Sequence, residues 1–184
     1  RDSLKITKSN FIITNSKLSK YIPNSKVKLI VKNVLLSVAK LTEYFYPNSI
    51  NDKSHLKVIR FDQKKIYKKV QFGSNVLLGE NVKIGENTTI GHNSIVQSNV
   101  IIGKNCNIGA NVVIKNSIIG NDVFILDGAV IGKRGFGFFP NKNKNIRYPH
   151  IGIVIIEDNC EIGCGSTIDR GSLSNTTIGK NTYL

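Results

Sequence analysis

Residues 76–134 read VLLGEN VKIGEN TTIGHN SIVQSN VIIGKN CNIGAN VVIKN SIIGND VFILDG AVIGKR. The third place of every group is aliphatic: Leu78, Ile84, Ile90, Val96, Ile102, Ile108, Ile114, Ile119, Ile125 and Ile131. The fourth place is usually glycine and the sixth often asparagine; only VVIKN is one residue short. A period of six matches neither the 3.6 of an α-helix nor the two-residue alternation of a half-buried strand. It predicts a parallel β-helix in which each group makes one short strand and one turn, and three groups make one coil. The third side chain is expected inside. The small or β-branched residue two places earlier (Val76, Val82, Thr88, Ser94, Val100, Cys106) is expected to turn inward beside it. Gly and Asn are expected at the corners, where φ can be positive or a side chain must hydrogen-bond the turn.

Outward from this array, the period fails over 133–153. The stretch GFGFFPNKNKNIRYPHIG carries Phe136, Phe138, Phe139, Tyr148 and two prolines. With Lys133, Arg134, Lys142, Lys144 and Arg147 it is basic and holds no acid. An aromatic, basic excursion from a regular scaffold is a candidate binding loop. Phe136 and Phe138 suit an apolar slot, and Lys142, Lys144 and Arg147 suit phosphates or an acidic partner. The plainer alternative is a loop that folds its rings back onto the solenoid wall. The sixes resume at Ile156, Ile162 and Ile168, pause at RGSLSN, and return at Ile178 and Leu184, so 76–132 and 154–184 are read as β-helix.

Residues 1–50 are not repetitive. Phe11–Thr14 and Lys26–Val31 read as strands. Asn33 stands at a helix N-cap position, followed by Val34, Leu35, Val38, Leu41, Thr42 and Phe45 at helical spacing and by Pro47. That pattern predicts a small α/β unit with one amphipathic helix of about four turns. Residues 51–75 are polar and lysine-rich, with two possible strands at His55–Phe61 and Lys65–Val70, and are read as a linker.

The net charge of +14 is concentrated at the front: residues 1–69 hold sixteen Lys and Arg against four Asp and Glu, net +12. An anionic partner (a nucleotide, an acidic carrier protein or an anionic surface) is one reading, and a solvated lysine-rich surface is the other. No nucleic-acid-binding signature accompanies the charge. No apolar run is long enough to span a bilayer, and none near Arg1 resembles a signal peptide. Three cysteines give no disulfide framework, which fits a reducing cytoplasm. Cys106 and Cys160 sit at inward places, and Cys160 with Cys164 is too few for a zinc site. The chain lacks Met and stops inside a repeat at IGKNTYL, so a piece cut at both ends is expected.

The motifs IGKRGFGF (131–138), YPHIGIVII (148–156) and EIGCGSTIDRGSL (161–173), behind an α/β unit and hexapeptide repeats, resemble the UDP-3-O-acylglucosamine N-acyltransferases of lipid A biosynthesis. The GFGF loop followed about thirty residues later by TIDRG is the specific part. The resemblance implies a left-handed β-helix and a cytoplasmic homotrimer with sites between subunits. It further implies a uridine-binding N-terminal domain, an acyl carrier protein donor, a UDP-sugar acceptor, and no metal or other cofactor. A histidine in a coil beyond Leu184 would be the general base. His55, His92 and His150 do not match it, so no catalytic residue is assigned within the chain. Asn33 matches an asparagine that contacts uracil, whereas the aromatic rings that sandwich the base in relatives are not evident here, with Ile30, Leu35 and Leu36 in the neighbourhood. Other readings are a different sugar O-acyl- or N-acetyltransferase of hexapeptide type, or a purely structural β-helix. A γ-class carbonic anhydrase would need three zinc histidines, and the repeats offer only His92.

Overall fold

The computed structural model of the chain describes residues 7–53, 56–59, 66–140 and 144–184. Two compact units emerge: one comprises the residues up to Ile50 together with Gly137–Pro149, the other comprises Asn51–Phe136 and His150–Leu184.

In the first unit β1 (Phe11–Thr14) leads to a single-turn α1 (Ser16–Ser19), then β2 (Val27–Ile30) and α2 (Val34–Phe45). β1 and β2 pair in parallel, with Phe11 opposite Val27 and Thr14 opposite Ile30. Each helix starts on an asparagine whose Oδ1 accepts a backbone N–H three residues on: Asn15 from Leu18 and Asn33 from Leu36, both at 3.0 Å. Such a cap contributes about 1 kcal/mol. Ala39 and Thr42 are the buried positions of α2.

The second unit is built from two- to five-residue strands. In order they are β3 (Gln71–Phe72), β4 (Leu77–Leu78), β5 (Lys83–Ile84), β6 (Thr89–Ile90), β7 (Ile95–Val96), β8 (Ile101–Ile102), β9 (Asn107–Ile108), β10 (Val113–Ile114), β11 (Ser117–Ile119), β12 (Phe124–Ile125) and β13 (Val130–Arg134). A short pair, β14 (Phe138–Phe139) and β15 (Ile146–Arg147), belongs to the first unit; β16 (Val154–Ile156), β17 (Glu161–Ile162), β18 (Thr167–Arg170) and β19 (Thr176–Ile178) return to the second. Every third strand stacks in parallel, giving three five-stranded faces: β4-β7-β10-β13-β18, β5-β8-β11-β16-β19 and β3-β6-β9-β12-β17. The chain is thus mostly β with parallel sheets. Leu78, Ile90, Val96, Ile102, Ile108, Ile114, Ile119, Ile125 and Ile131 are buried, as are the inward partners Val76, Val82, Thr88, Ser94, Val100 and Cys106. Ile84 is only half-buried and packs on the edge of this core.

The two corner residues divide the labour differently from a shared corner role. Asparagine at the sixth place takes the left-handed backbone, with φ between 56° and 65° from Asn75 to Asn111. Its side chain bonds the same residue one coil away, as Asn81 Nδ2–H does to Asn99 Oδ1 at 3.2 Å. Glycine at the fourth place has no positive φ in the regular coils; it is there for space. A Cβ on Gly85 would lie 2.6 Å from the backbone of Gly103 and Lys104 in the next coil.

Regular coils repeat every 18 residues, as the Asn81–Asn99 bond shows. The short group VVIKN reduces one spacing to 17, seen where Lys104 N–H donates to Asn121 Oδ1. The excursion stretches the next to 37, and RGSLSN stretches the last to 22.

Two boundaries need correction. The described residues of 51–75 are not a free linker but group with the second unit. Ile59 N–H donates to Leu78 O at 2.8 Å, Val58 bridges Gly79, and the Tyr67 hydroxyl donates to Val82 O at 2.7 Å. Of the strands expected at His55–Phe61 and Lys65–Val70, residues 54, 55 and 60–65 lie outside the described residues, and 66–70 form a turn. The excursion is not wholly an appendage of the solenoid, because Gly137–Pro149 groups with the first unit.

Candidate functional site

The excursion forms a small antiparallel hairpin. Phe138 faces Arg147 and Phe139 faces Ile146 across β14 and β15. The rings of Phe139 and Tyr148 pack at 5.4 Å, and Tyr148 N–H donates to Gly137 O. The basic side chains Lys144 and Arg147 are exposed; Lys142 lies outside the described residues. Phe138 is 42% exposed on the hairpin, while Phe136, 88% exposed, belongs to the second unit, so the two rings fall on opposite sides of the unit division.

Asn33 uses its Oδ1 to cap α2. The neighbouring Ile30 and Leu35 are exposed. Between β1, β2 and α2 lies a cleft of about 340 Å³ lined by Ile13, Leu29, Val31, Leu41, Tyr44 and Lys40.

At the neck of the excursion a charged cluster appears that the sequence reading missed. Lys115 and Gln97 occupy fourth places where glycine is the rule, and both are buried. The Lys115 ammonium meets Asp52 Oδ1 at 3.0 Å with only 5% of its side chain exposed, and Lys133 bonds Asp52 Oδ2. Burial pushes the Asp52 carboxyl up, but the hydrogen bonds from Lys133 and Lys115 and their charges outweigh it, so its pKa is lowered. Desolvation lowers the pKa of Arg170, against the opposing pull of Asp52. Its Nε–H donates to Gly152 O. The departure of Gln97 and Lys115 from the glycine rule was the visible signal. Asp52 carried none, since one acid in a lysine-rich stretch has no period.

The histidines separate. His55 lies outside the described residues. His92 Nδ1 accepts the Ser74 N–H at 2.8 Å, the turn role that Ser98 Oγ plays for Glu80 N–H and Asp127 Oδ1 for Ala110 N–H. His150 is buried, with Nε2 packed over Gly135. Cys106 and Cys160 donate their thiols to Gly120 O and Gly179 O, and burial pushes the Cys106 thiol up. Among the described residues no group of three metal-ligating side chains forms, and no helix is long and apolar enough to cross a membrane.

Residues 81–116 match the bacterial transferase hexapeptide (six repeats) family. Over all 184 residues the chain is 42% identical to the UDP-3-O-acylglucosamine N-acyltransferase of Granulibacter bethesdensis. The chain is thus similar to hexapeptide-repeat acyltransferases both in its repeats and along its whole length. Its similarity runs to the UDP-3-O-acylglucosamine N-acyltransferases: that of Rickettsia conorii is 55% identical over 67 residues, 36% of this chain and 19% of the relative. The chain spans about half, 54%, of the Granulibacter protein. Among solved structures, an N-acyltransferase variant from Bacillus cereus in complex with dTDP and coenzyme A aligns with TM-score 0.46 and 21% identity, covering 70% of this chain and 77% of its own.

Proposed function

We propose that the protein represented by this chain transfers a 3-hydroxyacyl group from acyl carrier protein to the 2-amine of a UDP-3-O-acylglucosamine. The observation that carries this reading is the 42% identity maintained over the whole chain to a relative of that name. In the reaction the amine attacks the thioester carbonyl, an amide bond forms, the carbon–sulfur bond breaks and the carrier thiol leaves. A histidine takes the amine proton as general base, and backbone N–H groups hold the oxyanion. On this reading that histidine lies beyond Leu184. Asn33 contributes to a uracil site through its amide donors, its Oδ1 being committed to the helix cap. Phe136 and Phe138 serve the acyl or pantetheine chain.

The compact unit with the hairpin suits an acidic carrier: its 63 residues hold twelve Lys and Arg against two Asp and Glu. Lys142, Lys144 and Arg147 would raise the encounter rate and make it salt-dependent. The β-helix is read as left-handed, after the family, and the protein as a cytoplasmic homotrimer. Support for the trimer comes from the outward residues of the coils. One face presents Leu77, Ile95, Val113 and Val130 beside Thr167, the next presents Ile101, Ile118 and Ile155 between Lys83 and Thr177, and the third presents Gln71, Thr89, Asn107 and Glu161 around Phe124. Two faces that are apolar through their middle coils suit a closed head-to-tail ring of prisms.

The test is an acyl transfer assay with acyl carrier thioester and a UDP-aminosugar. The 184 residues alone are expected to show no turnover, and a chain extended through the following coils is expected to be active. Turnover by the 184 residues would place the base at His150 or His92 and overturn the assignment.

A further inference from the structure

The chain passes between its compact units at three points, 50/51, 136/137 and 149/150. Inside the second unit the three ends are tied to one another. Asp52, two residues past the first crossing, holds Lys115 and Lys133. Lys133 lies three residues before the second crossing, on β13, where it pairs with Asp169 of β18 as Arg134 pairs with Arg170. Arg170 bonds Gly152 O, just past the third crossing, and Ile151 and Gly152 N–H donate to carbonyls of Gly171 and Ser172. His150 packs on Gly135, joining the second and third ends directly.

We propose that Asp52 is a positioning residue: its bonds to Lys115 and Lys133 close a clamp that fixes all three ends within the second unit, including the Ile151–Gly152 end that it does not itself touch. A corner of the solenoid needs no such cluster, since most other fourth places over 76–134 hold glycine, none of them holds a charged residue, and the apolar interior is continuous without it. Burying an ammonium costs solvation that one carboxylate only partly returns, so the pair is poorly explained as a device for stability alone. The four-residue expansion at RGSLSN fits the same role, because it supplies the carbonyls that receive the third end.

The experiment uses the 184-residue chain with Asp52→Ala, Lys133→Gln and the conservative Asp52→Glu. Amide hydrogen exchange follows Ile59, Ile151 and Gly152 at the clamp and Gly91, Gly103 and Gly109 in the regular coils. Asp52→Ala is expected to speed exchange at all three clamp amides about tenfold or more and leave the coil amides unchanged. Lys133→Gln should do the same in smaller measure, and Asp52→Glu should restore most of the protection. Unchanged exchange at Ile151 and Gly152, or equal loosening of every coil, would each overturn the proposal.

Discussion

At Asn105 the backbone sits at φ 56°, and the side chain both accepts from Asn87 and donates to Asp122. Asn105→Ala loses those bonds and keeps a left-handed backbone that alanine disfavours, a cost of about 1–3 kcal/mol; Asn105→Gly should lose less. Two residues earlier the preference reverses. Gly103→Ala would set a methyl 2.4 Å from Gly120 O, and urea unfolding is expected to show it as more damaging than Asn105→Gly. The sequence placed both types at the corners but could not separate them, because the next coil, 17 or 18 residues away, decides which needs φ and which needs space. Thiols give a second residue-scale check. Cys164 is exposed and should react with a thiol reagent in the native protein, whereas Cys106 and Cys160 should react only after unfolding. Asp52 gives a third. Its lowered pKa means that its contribution to stability is present above the ordinary carboxylate range and is lost as pH falls through the lowered value. Acid titration of the wild type against Asp52→Asn should therefore converge below about pH 4.

At the scale of the element, the six-residue strand-and-turn was legible because each unit repeats the same inward pair. Ile102, fully enclosed on β8, tests it: Ile102→Asp should cost about 4 kcal/mol or more in equilibrium unfolding, since an unpaired charge is added to a lost side chain. The segment holding Asp52, Val58 and Ile59 was not legible. Its polar, lysine-rich composition reads as a linker, and its attachment is made by a carboxylate, one β-bridge and the packing of the single side chain of Ile59 rather than by an apolar stripe. The hairpin was equally hidden. Its strands are two residues each, too short for alternation to register, and its grouping with the N-terminal residues depends on folding at a distance. Even so, Phe138, Lys144 and Arg147 were identifiable by the collapse of the period around them. In an active extended protein, replacing Lys142, Lys144 and Arg147 with alanine should raise the KM for the carrier donor severalfold and flatten its salt dependence, with stability nearly unchanged. A donor KM that stays at the wild-type value would reduce these side chains to surface.

At the scale of the whole molecule, the two apolar columns on adjacent faces make assembly testable without activity. Leu77→Lys with Ile101→Lys places charges on outward positions that are 44% and 38% exposed in the single chain. On the proposed trimeric assembly, light scattering after size exclusion should show a shift from trimer to monomer while the β-sheet spectrum is retained; a mass unaffected by the charges would remove the columns from the interface. The column pattern was present in the sequence at every second place, yet only the stacking of every third strand sorts those places onto separate faces. The seventeen-residue coil bears on a different problem. Coils this alike could stack one turn out of step during folding and still bury an isoleucine against an isoleucine. The shortened corner at Asn116 breaks that degeneracy: its amide reaches Gly132 O, and Gly132, at φ 78°, leaves no room for a Cβ beside Lys115 O. A chain slipped by one coil would bring a full-length corner against that notch. The missing residue thus works as an index mark, telling otherwise interchangeable turns which one is which.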